Sequence, residues 1–231
     1  MKTILASASP TRRQIFENLG IKFEVIPSDF DEKIPKKLND TPRAKRLNSG
    51  IYPRESGNLS QISNLVQYLA EEKAKSVYKK IEQEKDIIVL GFDSLVELNG
   101  EIIGKLKTQK EALETFQKFR GQKVGLYTGI SIIGKFRGKF FQKTSYELSH
   151  LYFKQEITNC QLRDFLSYKQ WQNVAGGIRV EGATQFLLEK IDGDWLNIIG
   201  VPVLKMNEMI LKTLGKPAIK IFEKNNSVKF T

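Results

Sequence analysis

The chain has 231 residues, 40% hydrophobic and 27% charged, with a formal net charge of +11. That length suffices for a full core in one domain or two small lobes, and no apolar run nears the roughly 20 residues of a membrane helix. A single cysteine, Cys160, excludes an internal disulfide, and with His150 the only histidine a zinc site of the usual ligands is not expected.

Met1-Lys2 leads directly into apolar sequence without a signal-peptide pattern, so a cytoplasmic location without a membrane partner is expected. The lysines are scattered and not gathered into a run, and no zinc knuckle or aromatic RNA-binding pattern occurs. That argues for a solvated surface and against nucleic acid as a partner. Thr3 to Ala6 read as a short buried strand. It leads through Ser7, Ala8 and Ser9 into a helix whose N-cap is Ser9 and whose first residue is Pro10. Ile15, Phe16 and Leu19 give that helix an apolar face, and Gly20 ends it. The turn offers backbone N–H groups, the hydroxyls of Ser7 and Ser9, and the guanidinium groups of Arg12 and Arg13. These are the means to hold a polyphosphate at a helix N-terminus, although an ordinary strand–helix turn with a solvated Arg pair has the same sequence.

Lys22 to Ile26 alternate as a strand and run into an acidic turn containing Asp31 and Glu32. Residues 33–64 are polar and lack periodicity, so they are read as an insertion. Leu65 to Ile81 form an amphipathic helix with Lys73 and Lys75 beside its apolar stripe. Ile87 to Phe92 are a buried strand expected to stop at Asp93-Ser94, where open α/β sheets place ligand chemistry. A hairpin turning at Asn99-Gly100 follows, then a helix over Gln109 to Phe119. Val124 to Ile133 are a second apolar strand carrying Thr128. Phe136 to Phe153 read as a hairpin turning at Arg137-Gly138, with His150 in strand-like sequence. Ile157 to Tyr168 are a helix in which Cys160 is expected to be a small buried hydrophobe. Beyond the glycine-rich block Val174 to Gly182, Phe186 to Ile191 are a strand and Asp192 to Asn197 a tight turn. Val201 to Leu214 are the last helix, and from Gly215 a lysine-rich extension begins.

Strands alternate with helices, and the polar candidates fall at turns and strand ends. Cations and N–H donors suit a polyphosphate; Asp31, Glu32 and Asp93 suit a divalent metal and an activated water. The matching chemistry is hydrolysis of a phosphoanhydride. No serine–histidine or cysteine–histidine nucleophile is available.

The opening Leu5-Ala6-Ser7-Ala8-Ser9-Pro10 with Arg12-Arg13 resembles the signature of the Maf family of nucleoside triphosphate pyrophosphatases. The likeness continues through Asp31-Glu32, Leu69-Ala70 with Lys73-Ala74, Gly91 with Asp93, Gly104-Lys105 and Thr128-Gly129. It closes with Ala175-Gly176, Glu181-Gly182 and Gly193-Asp194 with Asn197, Gly200 and Pro202. The resemblance implies an α/β fold of the Maf/ITPase kind, a two-lobed mixed sheet with flanking helices and a central nucleotide-binding cleft. Residues 1–214 would be a single Maf-like domain interrupted by the 33–64 insertion, and 215–231 a basic extension. It also implies metal-dependent release of pyrophosphate from a nucleoside triphosphate, with Mg2+ or Mn2+ as cofactor, and it allows a homodimer. Asp93 would accept the proton of the attacking water. Glu32 and Asp93 would place the metal, and Ser7, Ser9, Arg12, Arg13, Lys73, Lys105 and Thr128 would hold the substrate.

Specificity falls on Thr11, Ser94 and Glu181. In the branch that hydrolyses dTTP and UTP these positions usually hold Arg, Thr and Gln. In the 7-methyl-GTP branch a non-Arg residue precedes the two arginines, Gly-Lys replaces Glu-Lys, and Glu stands at the last position. Thr11, Gly104-Lys105 and Glu181 therefore lean to 7-methyl-GTP or another modified nucleotide, because a carboxylate accepts from guanine and pairs with a cationic methylated base. Hydrolysis of dTTP and UTP is the alternative in the same family. A non-catalytic nucleotide- or nucleic-acid-binding regulator is the alternative of another class. Ser94 fits neither branch, and Leu106 stands where the family usually has Pro.

Overall fold

The computed structural model describes residues 1–30 and 58–224. Its seven strands are β1 (Lys2–Leu5), β2 (Glu24–Val25), β3 (Ile87–Leu98), β4 (Glu101–Ile103), β5 (Lys123–Phe136), β6 (Lys139–Phe153) and β7 (Leu188–Asp192). They form one sheet in the order β2-β1-β3-β5-β6-β7, with β4 also paired to β3. β1 runs parallel to β2 and β3, whereas β4 is antiparallel to β3 and β7 to β6, so the sheet is mixed. The helices are α1 (Pro10–Asn18), α2 (Asn58–Ile81), α3 (Gln109–Phe119), α4 (Asn159–Ser167), α5 (Trp195–Ile198), α6 (Val203–Leu214) and α7 (Ala218–Ile221). A 3-10 turn covers Ala183–Leu187. The fold is the expected α/β class, and no helix among the described residues is long and apolar enough to cross a membrane.

Local sequence explains most of these elements. Ser9 caps α1 by accepting from the Arg12 backbone N–H, and Pro10 occupies the first position, where its missing N–H costs nothing. The β3–β4 turn holds Asn99 at φ 52° and Gly100 at φ 85°, and the β5–β6 turn holds Arg137 at 50° and Gly138 at 76°. Two successive left-handed residues are what a tight hairpin needs to match the twist of its strands. α4 starts with a full capping box, in which Thr158 and Gln161 bond each other's backbone N–H.

Several expectations need correction. β3 does not stop at Asp93 but continues as one strand to Leu98, nearly all of it buried. Asp93 is therefore a mid-strand residue. The polar run expected to be an insertion up to residue 64 gives way to helix at Asn58, because fully buried Ile62 extends the apolar stripe of α2 by one turn. The two-residue β2 is exposed along its length and is much shorter than the expected strand. Cys160 is exposed, since α4 buries Leu162, Phe165 and Leu166 on its other side. Within the extension after Gly215, where no expectation is overturned, α7 is anchored by buried Ala218, Ile221 and Phe222.

The chain divides into two compact units. Unit 1 comprises Met1–Asp93, Thr128–Glu147 and Gly200–Thr231. In its core Ile4, Ala6, Ile87 and Val89 pack with Ala74 and Val77 of α2. Two glycines let that helix lie flush on the sheet. A Cβ at Gly91 would run into the Ala70 carbonyl and stand 2.8 Å from the Ala74 Cβ, and one at Gly129 would run into the Val66 carbonyl. Unit 2 comprises Ser94–Tyr127 and Leu148–Ile199. Its core holds a group of phenyl rings, with Phe116 at 5.3 Å from Phe119 and 4.7 Å from Phe165, and Phe119 at 5.0 Å from Phe153.

Gly129→Ala should therefore destabilise the protein by about 1–3 kcal/mol, because the obstacle is backbone and has no rotamer to yield. Gly104→Ala, where a Cβ meets nothing within 4 Å, should change stability by no more than about 0.5 kcal/mol. Urea unfolding of both variants measures the difference; equal midpoints would refute the packing account.

Candidate active site

The centre of the polar groups in unit 1 is a buried ion pair. Lys73 lies on the sheet-facing side of α2 and reaches Asp93 in the middle of β3, with Nζ 2.5 Å from Oδ1. Lys73 is 9% exposed and Asp93 is 6% exposed. Two opposite charges so enclosed interact far more strongly than a surface pair, but only their mutual contact and further hydrogen bonds offset the desolvation of each.

Beside them, Arg12 works as a clasp. Its Nε donates to the Gly200 carbonyl at 3.0 Å and its Nη1 to the Phe92 carbonyl at 2.9 Å, with Ser7 Oγ at 3.3 Å from the same Nη1. The guanidinium carbon also lies 5.9 Å from the centre of the Phe92 ring. One side chain of α1 thus joins the opening turn, the residue before Asp93 and the turn leading into α6. Ser7 Oγ accepts from the Ser9 N–H at 3.2 Å, which fixes the turn itself.

Arg13 is placed differently. It pairs with Glu17 one turn along α1, with Nε 2.9 Å from Oε1 and a side chain 64% exposed, so it does not join Ser7, Arg12, Lys73 and Asp93. Thr11 is half-buried in the first turn of α1, and Thr128 is wholly buried on β5. Asp31 and Glu32 lie outside the described residues.

Unit 2 carries a second group. The Gly176 N–H donates to the Gly104 carbonyl at 3.0 Å, and Lys105 bridges Ala175 as an isolated antiparallel pair. Two motifs about 70 residues apart in sequence are joined in this way, Gly104-Lys105 and the glycine-rich block. The side chains of Lys105 and Glu181 are exposed, and Ser94 is half-buried on β3. Arg179 was not singled out from the sequence, although it stands two residues before Glu181. It is half-buried, and its Nε is shut off from water without a hydrogen-bond partner among the described residues. His150 sits on β6 opposite Asp192, where burial and then nearby Lys123 push its pKa below the usual value.

Among the described residues no group of three His, Cys, Asp or Glu side chains would hold a metal alone. Asp93 still supplies a hard, buried carboxylate. That donor suits a Mg2+ ion, which takes one or two carboxylates and completes its shell with phosphate oxygens and water.

The family described as Maf-like protein matches residues 2–213. The chain belongs to the Maf family. Among the Maf relatives, the dTTP/UTP pyrophosphatase of Caldicellulosiruptor bescii is 31% identical over 220 residues, covering 95% of this chain and 98% of that protein. The dTTP/UTP pyrophosphatase of Clostridium acetobutylicum is 30% identical over 220 residues, covering 91% and 97%. Among solved structures, the Ham1 protein of Staphylococcus aureus matches 67% of this chain and 73% of its own, with 16% identity and a TM-score of 0.35. These Maf relatives do not support the lean to the 7-methyl-GTP branch. That lean rests on Thr11, Gly104-Lys105 and Glu181 together, and Arg179 places a positive charge in the same turn as Glu181.

Removing one partner of the ion pair tests how firmly it is built in. Lys73→Met should cost about 3–5 kcal/mol, because it strips a buried carboxylate of its lysine. Adding Asp93→Leu should recover part of that loss, giving a double variant less destabilised than the sum of the singles. Strict additivity in chemical denaturation would mean the two charges are not coupled.

Proposed function

We propose that this chain hydrolyses dTTP and UTP to the nucleoside monophosphate and pyrophosphate. As a member of the Maf family it is a nucleoside triphosphate pyrophosphatase, and the pyrimidine substrates follow the names of its relatives. The observation that carries the catalytic reading is the buried Asp93 carboxylate, in contact with Lys73 and one residue from the carbonyl that Arg12 clasps. A carboxylate so placed is suited to take a proton, and the adjacent cations are suited to meet phosphate oxygens.

In this reading a water oxygen bonds to the α-phosphorus while the bond to the bridging α–β oxygen breaks, so pyrophosphate leaves with that electron pair. Asp93 receives the water proton. Lys73, Arg12 and the hydroxyls of Ser7 and Ser9 hold and orient the phosphates from unit 1, with Thr128 shaping the β5 side and Arg13 attracting the anion from outside. Lys105 would bind phosphate, and Thr11, Ser94 and Glu181 would select the substrate. Asp93, with Glu32, would bind the divalent ion, which when present supplies charge neutralisation on the phosphate oxygens. Residues 1–214 serve as one catalytic domain, with the basic extension beyond it. A cytoplasmic enzyme handling free nucleotides accords with this reading, and a homodimer is compatible with it.

Pyrophosphate release from a panel of nucleoside triphosphates with magnesium tests the proposal. UTP and dTTP should exceed 7-methyl-GTP, and a chelator should abolish turnover until magnesium is restored. Asp93→Asn should lower kcat by about 100- to 10,000-fold while nucleotide binding persists. Undiminished kcat in that variant would remove Asp93 from the reaction, and a preference for 7-methyl-GTP would return the substrate to the other branch.

A further inference from the structure

The turn that carries Glu181 also carries a buried donor without an acceptor among the described residues. Arg179 and Gly182 close a β-turn, in which the Gly182 N–H donates to the Arg179 carbonyl at 3.2 Å. Its backbone is fixed from two sides. The Arg179 N–H donates to Oγ1 of fully buried Thr184 at 3.2 Å, and the Ala183 N–H donates to Oε1 of Gln170 at 2.7 Å. Gln170 lies so close that a Cβ on Gly182 would strike its amide.

The side chain of Arg179 is not provided for in the same way. Its Nε is buried without an acceptor among the described residues, and it makes no ion pair with Glu181, whose carboxylate is exposed. Proteins seldom leave a guanidinium donor shut off from both water and partner, because the lost hydration is not repaid. A donor left so on a rigid turn, beside a residue already assigned to substrate choice, suggests that the acceptor arrives with the substrate.

The chemistry of the pyrimidine ring supplies one. Uracil and thymine present an N3–H flanked by two carbonyl oxygens. A glutamine would offer a donor and an acceptor to that edge from one side chain, whereas a glutamate only accepts. We propose that Arg179 and Glu181 read the ring together, Arg179 donating to a carbonyl oxygen beside N3 and Glu181 accepting the N3–H. The inference rests on the dTTP/UTP reading and makes Arg179 a specificity-determining residue. It also implies selection against 7-methylguanine, a cationic base that Glu181 alone would attract and that Arg179 would repel.

The test compares kcat/KM for UTP and 7-methyl-GTP in wild type, Arg179→Met, Glu181→Gln and the double variant. Arg179→Met should lower the UTP value about 10- to 100-fold, the worth of a hydrogen bond from a charged donor, and leave 7-methyl-GTP unchanged or raised. Adding Glu181→Gln to Arg179→Met should recover at least about tenfold for UTP, since the amide restores a donor beside the acceptor. Equal losses on both substrates would make Arg179 a phosphate contact or a structural residue and overturn the inference, as would an unchanged UTP value or absence of rescue. Should Arg179→Met fail to fold, 2-thio-UTP and 4-thio-UTP serve with the wild type. Sulfur is the poorer acceptor, so one of the two should fall at least about tenfold below UTP, and parity of both overturns the pair. A wild type that prefers 7-methyl-GTP to UTP overturns the dTTP/UTP reading itself; a wild type that prefers UTP but fails the variant tests overturns only the role of Arg179.

Discussion

The proposed chemistry of unit 1 depends on how closely one helix can lie on a sheet. Side chains between a helix and a sheet keep their backbones apart, and a Cβ at Gly91 or Gly129 would collide with α2 here. Without their side chains, the Ala70 and Val66 carbonyls of α2 approach the backbone of β3 and β5. Lys73 follows Ala70 by one turn on the same helix, and Asp93 follows Gly91 by two residues on the same strand. A long, flexible ammonium stem is thereby committed to one short contact with a carboxylate on a rigid strand. The glycines lie outside the pair itself, yet they let the helix that carries Lys73 rest against the strand that carries Asp93.

Burying that pair is expensive, and its surroundings limit the expense. A lone carboxylate inside a protein would take up a proton or drag water in with it. Lys73 removes that pressure, and Arg12 secures the backbone at Phe92 and Gly200 with charge-assisted bonds to carbonyls. The two cations thus do different work. Lys73 neutralises the charge of Asp93, while Arg12 fixes where the residue stands. The sequence presents both simply as basic side chains, and only the bonds separate their duties.

The fold was largely legible because its strongest signals are local. Ser9-Pro10 announced α1, Asn99-Gly100 and Arg137-Gly138 announced their hairpins, and the apolar run at Ile87 announced the central strand. The errors arose where tertiary partners decide the outcome. Asp93 looked like a strand terminus because a charge after six apolar residues usually is one, and the lysine that lets β3 continue through it lies on another element. β2 is short because only Glu24 and Val25 pair with β1, and Cys160 turns outward because helical phase, which a cysteine barely influences, puts Leu162 and Phe165 inward. At the site, Ser7, Arg12, Lys73 and Asp93 were found by motif and then brought together by the fold. Arg179 was passed over because its significance is a missing partner, which no residue pattern records.

Neither unit is a continuous piece of chain. The backbone passes from one to the other after Asp93, Tyr127, Glu147 and Ile199, and the first three of these passages occur inside β3, β5 and β6. Such threading has a consequence for biosynthesis. A ribosome releases the chain from its N-terminus, so unit 2 is fully translated by Ile199 while unit 1 still lacks α6 and α7. β1 and the start of β3 are made before any of unit 2, yet they belong to the core completed last. Nascent β1 and β3, apolar and awaiting partners, must stay soluble through nearly the whole of translation.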